Sequence, residues 1–138
     1  MAAFSAMGGV ACTGPSEVGS HADVVFVMVM NGDQAKSVIF GKSGLASTMS
    51  SGGIIILTAT IKPSEAREIG AGLEGSGLRL VDSPVSGGFP GAQGGTLTMM
   101  AAAPDELMSA ARPVMEAVSG TIHHVGTVSY THLRAHET

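Results

Sequence analysis

The chain is 138 residues long, 44% hydrophobic and 13% charged, with a mean hydropathy of +0.34, a composition that fits one compact domain and excludes a disordered chain. Seven Lys and Arg against eleven Asp and Glu leave a net charge of −4, so there is no basic field for nucleic acid, and no aromatic-basic interleaving supplies one. The longest apolar run, Val24 to Met30, is far shorter than the roughly 20 residues a bilayer requires. No basic segment precedes an early apolar stretch, so neither a membrane span nor a signal peptide is expected.

The charged fraction is about half that of an average globular protein, and the 20 glycines amount to about twice the average share; such a chain should be buried on many sides. In chain order, Met1 to Met7 reads as the end of a helix and Val10 to Cys12 as a short strand. Cys12 is the single cysteine; it cannot form an internal disulfide, it reads as a small filler beside that strand, and it fits a reducing cytoplasm. Val24 to Met30 is continuously apolar and β-branched in its first half, the mark of a strand buried on both faces in a parallel sheet. Asp33 to Phe40 reads as a helix. Ile54 to Leu57, introduced by Gly52-Gly53, repeats the strand signal. Pro63 to about Leu73 follows as a helix, with proline and acid in its first turn. Leu78 to Asp82 is the third strand, Thr96 to Ala103 another, Pro104 to about Val118 a helix ending at Gly120, and Thr121 to Val125 a last short strand. Pro113 should kink that helix or split it near Ala111.

Strands alternating with helices of this length predict an α/β fold with a doubly wound, mostly parallel sheet of Rossmann-like type. Nowhere in the chain does G-x-G-x-x-G stand between a first strand and a helix, the setting in which its glycines and the helix start cradle a pyrophosphate. The sheet is therefore expected to lack its first βα unit.

The stretch from Asp82 to Leu97 carries the chemistry. Five glycines between Gly87 and Gly95 predict a loop of exposed backbone, and successive N–H groups around Ser86-Gly87-Gly88 can form a concave nest for a carboxylate, with the Ser86 hydroxyl as a further donor. A glycine-rich connector that holds nothing is the alternative. Thr60, three residues before Pro63, has its own alternative as a helix cap or turn residue. His123 and His124 are strand neighbours and face opposite ways, so they do not chelate one metal. Met28, Met30, Met99, Met100, Met108 and Met115 are expected to fill core gaps, and Asp33, Glu65, Glu68 and Asp105 to be solvated helix charges.

The pattern D-S-P-V-S-G-G-x-x-G-A-x-x-G-T-L-T-M-M, starting at Asp82, resembles the substrate-binding signature of the β-hydroxyacid dehydrogenases, the 3-hydroxyisobutyrate dehydrogenase-like family. The similarity extends from about Val10 to Val125. It implies an NAD(P)-dependent oxidoreductase acting on a small 3-hydroxy acid by hydride transfer, with a carboxylate substrate held by Ser86, Gly87 and Gly88. By the same resemblance Thr60 lies beside the nicotinamide end of the cofactor, and Val29, Met30 and Gln34 border the cofactor cleft; NAD and NADP both stay open. The family's catalytic lysine falls in a G-x-x-x-K-x-x-x-N segment that Lys36, Lys42 and Lys62 do not match, so no catalytic residue is assigned and the chain by itself is expected to be inactive. The full-length parent is expected to be a homo-oligomer. A non-enzymatic Rossmann-like binding or packing module is the competing reading.

Residues 128–138 differ sharply from the rest: they hold the only tyrosine and two of the five histidines but none of the glycines. Although His132 and His136 have the spacing of a helical metal pair, the string resembles a translated sequencing adaptor. Residues 1–127 are therefore read as a partial NAD(P)-binding domain and 128–138 as a non-native tail.

Overall fold

In the computed structural model, which describes residues 5–126, three parallel strands form one side of a six-stranded sheet. After helix α1 (Pro15–His21), β1 (Val24–Val27) leads to α2 (Gly32–Phe40), and a 3-10 turn at Leu45–Ser47 precedes β2 (Ile54–Leu57). Helix α3 (Pro63–Glu74) returns the chain to β3 (Arg79–Asp82). Then come β4 (Val85–Ser86), α4 (Gly88–Gly94), β5 (Leu97–Ala102), α5 (Asp105–Glu116) and β6 (Ser119–Gly126). β1, β2 and β3 pair in parallel, and β5 pairs antiparallel with β3 and β4 and parallel with β6. The expected mostly parallel Rossmann-like α/β sheet is the observed one.

The apolar strands sit where burial on both faces demands them. Ile55 and Leu57 join Val25, Val27 and Leu80 in a core covered by Ile39 of α2 and Ile69 and Leu73 of α3. Ile54, Ile56 and Val81 face the other way, against Leu107, Met108 and Met115 of α5. All four residues of β2 are buried, which is why that segment shows no alternation.

Several expectations are corrected. β1 stops at Val27 and not at Met30, because its only described partner is β2, whose last paired residue, Leu57, lies opposite Val27. Met28 and Met30 are consequently 65% and 84% exposed, and Met100 is 47% exposed on the open face of β5, whereas Met99, Met108 and Met115 do fill the core. Val10 to Cys12 forms no strand. Half-buried Cys12 instead lines an apolar cavity of about 750 Å³ with Val10, Val18 and Ala22. Pro113 does not split its helix: α5 is continuous across it, with Ser109 and Pro113 both on its exposed face, where loss of the backbone bond is least costly. The helix expected at Met1 to Met7 lies partly outside the described residues. The pair His132 and His136 and the tail 128–138 lie wholly outside them.

Polar contacts tie the helices in place. Glu65, expected in solvent, accepts from the Lys62 backbone N–H at 3.0 Å and closes the first turn of α3. Glu68 pairs with Lys36 of α2 at 2.6 Å, and this hydrogen bond raises the lysine above its ordinary range. In the first turn of α1, Glu17 accepts from the Thr13 backbone N–H and hydroxyl at 2.8 and 3.0 Å, which lowers its carboxyl.

Candidate functional site

The carboxyl ends of β1, β2 and β3 define one edge of the sheet, the place where open α/β sheets receive ligands. Immediately beyond β1, the backbone is set by two hydrogen bonds: Gln34 Oε1 accepts from Met30 N at 2.7 Å, and Asn31 Oδ1 caps α2 by accepting from Gln34 N at 2.9 Å. Val29 is half-buried against the core, while Met30 and Gln34 are exposed at this edge. Beyond β2, Thr58 is buried and donates to Val27 O at 3.1 Å, and Thr60 is exposed. Thr60 caps nothing, since the N-cap of α3 is Lys62. The four residues Val29, Met30, Gln34 and Thr60 thus follow the carboxyl ends of β1 and β2.

The glycine-rich stretch is more ordered than a loop. Asp82 lies opposite Ala102, Val85 opposite Met99 and Ser86 opposite Thr98, so the pairing runs from β3 into β4 without a slip, interrupted only at Ser83-Pro84. Side chains alternate along that line: Val81 and Val85 face the α5 side, and Ser86 faces the other. Because β5 meets β3 only through its last residue, β4, β5 and β6 stand beyond the carboxyl edge as a wall, on the order of 15 Å tall by strand rise. Gly87 (φ +121°) and Gly88 (φ +57°) then turn the chain out of the wall into α4, conformations that a side chain disfavours. Ser86, Gly87 and Gly88 are all exposed. The expected run of loop is therefore corrected to a short strand, a two-glycine turn and a helix, with the three candidate residues at the turn.

Beneath this wall, Ser83 is fully buried and its hydroxyl has no hydrogen-bond partner among the described residues. His124 is half-buried; its Nε2 lies 2.6 Å from Ala103 O and its Nδ1 3.7 Å from the Asp105 carboxylate, while His123 is exposed on the other face. Among the described residues no group of three potential metal ligands occurs, and no helix is long and apolar enough to cross a membrane.

Met28, Met30 and the 76%-exposed Phe89 are large apolar side chains left uncovered, in a chain that otherwise buries such groups; uncovered apolar groups beside the polar Gln34 and Thr60 are of the kind that suits the rings of a dinucleotide.

A mostly parallel sheet with helices on both faces and an open carboxyl edge is the architecture of a dinucleotide-binding domain, and the family model for the NAD-binding domain of 6-phosphogluconate dehydrogenase matches residues 1–126. The chain belongs to that family. It is 41% identical over 123 residues to the L-threonate dehydrogenase of Cupriavidus necator, covering 89% of this chain and 41% of the relative. The 3-hydroxyisobutyrate dehydrogenase of Pseudomonas aeruginosa is 37% identical over 105 residues, 76% of this chain and 35% of the relative. Among solved structures, a 3-hydroxyisobutyrate dehydrogenase from Salmonella typhimurium superposes with a TM-score of 0.87 at 28% identity, over 99% of this chain and 48% of that one. The Mycobacterium tuberculosis 3-hydroxyisobutyrate dehydrogenase with L-serine gives 0.82 at 32% identity, over 97% of this chain and 46% of that one. These relatives are hydroxyacid dehydrogenases, as the signature at Asp82 implied, and the chain spans less than half the length of each of them.

Proposed function

We propose that this chain is the cofactor-binding part of an NAD(P)-dependent oxidoreductase that acts on a small 3-hydroxy acid. What supports this reading is chain position: Val29, Met30, Gln34 and Thr60 follow the carboxyl ends of β1 and β2, and Ser86, Gly87 and Gly88 end the line that runs on from β3 into β4. A nicotinamide dinucleotide bound there supplies the hydride acceptor. The chain's own part is positional. The Gly87 and Gly88 amides, with the Ser86 hydroxyl, hold the substrate carboxylate by hydrogen bonds to an anion, which are stronger than those between neutral groups. Met30 and Val29 exclude water on one side of the cleft, and Thr60 and Gln34 offer it polar contacts. No residue of this chain is assigned the proton transfer of the alcohol, so the chain alone turns over no hydroxy acid.

The same reading places residues 1–127 in a partial dinucleotide-binding domain, residues 128–138 in a non-native tail, and the parent protein in the cytoplasm as a homo-oligomer. The test is Ser86→Ala in the full-length dehydrogenase. A rise in KM or a fall in kcat/KM of about tenfold for a hydroxy acid is the expected result, and unchanged kinetics leave the turn with a packing role only.

A further inference from the structure

We infer that the Asn31–Gly32 bond is a modification site, a point of deamidation whose rate is set by the opening of the first turn of α2. Asn31 is the single asparagine of the chain, it is exposed, and a glycine follows it. Glycine at 32 leaves room for the Glu65 carboxyl group, and the same lack of a Cβ leaves its backbone nitrogen unshielded. The reaction needs only water. The Gly32 nitrogen attacks Asn31 Cγ; an N–C bond forms, the Cγ–Nδ2 bond breaks, and the proton of the attacking nitrogen leaves with Nδ2 as ammonia, which gives a five-membered imide. Water then opens the ring at either carbonyl, to aspartate or to isoaspartate, in which the main chain runs through the side-chain carbons.

The fold holds the reacting atoms apart. Asn31 is extended, with φ −157° and ψ 175°, and closing the ring requires rotation about its Cα–C bond, which swings the Asn31 carbonyl away from α2. That carbonyl accepts from Ala35 N at 3.1 Å. Turning the side chain toward Gly32 N also takes Oδ1 off Gln34 N, to which it is bonded at 2.9 Å, while Gln34 Oε1 anchors the preceding residue through Met30 N at 2.7 Å. Deamidation therefore waits on the loss of this turn. The two products differ in what they leave behind: aspartate keeps a capping oxygen and brings a negative charge to a helix start, where it is favourable, whereas isoaspartate lengthens the main chain and loses the cap.

The experiment follows deamidation of the 138-residue chain at mildly alkaline pH, in buffer and in concentrated urea, by mass spectrometry after cleavage before aspartate. The peptide 23–32 holds Asn31; aspartate at 31 creates a new cut in it, and isoaspartate leaves it whole but heavier by one dalton. Deamidation should be on the order of tenfold slower in buffer than in urea, the scale of a helix cap. Gln34→Ala, which removes the bond to Met30 N, should speed it about 2- to 10-fold in buffer, the range of one hydrogen bond, and hydrogen exchange of the Ala35 amide should rise by the same factor. Gln34→Glu, whose carboxylate accepts the same bond, should stay slow. Equal rates in buffer and urea, or an Asn31 that stays intact in both, would overturn the inference, as would faster Ala35 exchange without faster deamidation, or a Gln34→Ala chain in which neither rate moves.

Discussion

Gly32 shows how closely single residues are matched at the start of α2. A Cβ at this position would overlap the Glu65 carboxyl group, which is held in place by the Lys62 backbone N–H. Gly32→Ala should push this flexible side-chain end off the Lys62 N–H and cost no more than about 1 kcal/mol, the scale of one hydrogen bond, and the cost should vanish in a Glu65→Ala background because the clashing group is gone; a double-mutant cycle in urea measures the coupling. Ser83 is the opposite case. A buried hydroxyl with no described partner forfeits its hydration without return, so Ser83→Ala should leave stability unchanged or raise it by about 1 kcal/mol, read from the same denaturation curves. At Glu17 the lowered carboxyl means that the unfolded chain binds its proton more readily than the folded one. Its contribution is therefore present above the ordinary carboxylate range, near pH 4.3, and disappears as pH falls through the lower folded value. Residue-level reading went wrong chiefly at the methionines. Met99 and Met100 are adjacent and alike in type, and only the direction of β5 decides that the first is buried and the second exposed.

Elements were legible where periodicity was strong. The runs at Val24, Ile54 and Leu78 are apolar because layers cover them on both sides, and that pattern survives in the sequence without any knowledge of the partners. The end of β1 was not legible, since a strand ends where its neighbour turns away, and the neighbour is 30 residues distant, as in the pairing of Val27 with Leu57. β4 was invisible for a related reason: a strand of two residues, Val85–Ser86, has no period. The helix α5 carries a prediction of its own. Pro113 removes an internal hydrogen bond from an otherwise regular helix, so Pro113→Ala should stabilise the chain by about 1–3 kcal/mol, the scale of a proline in a helix interior, seen as a higher denaturation midpoint. At the far end of the same layer, His124 joins β6 to Ala103 and Asp105. His124→Phe should speed hydrogen exchange of the β6 amides more than those of β2.

For the whole molecule, β2 is the shared wall of both cores. Ile55 belongs to the α2–α3 side and Ile56 to the α5 side, and both are fully buried. Ile55→Ala and Ile56→Ala should each cost about 2–5 kcal/mol, and each should shift the unfolding of both layers together, so that hydrogen exchange in α2 and in α5 responds alike. If one layer were to melt alone, the two cores would be separate units. The candidate site was legible as residue types and not as a place. Ser86, Gly87 and Gly88 stand out as a sequence, but their position on a wall beyond the sheet comes from the reversal of β5, which no local pattern announces.

The unslipped line from β3 into β4 also sets a parity. Asp82 and Ser86 are an even number of residues apart, and that alone keeps Ser86 on the open side of the wall. One residue inserted at Ser83-Pro84 would turn Ser86 toward α5 and bring Val85 round to the open side, exchanging a hydroxyl for an isopropyl group at the mouth of the cleft. Two inserted residues would restore the side but raise the hydroxyl by about 7 Å, beyond the reach of anything seated at the edge. The height of the Ser86 hydroxyl above the sheet edge is thus counted in whole residues, and neither an odd nor an even change in the length of this short stretch preserves it.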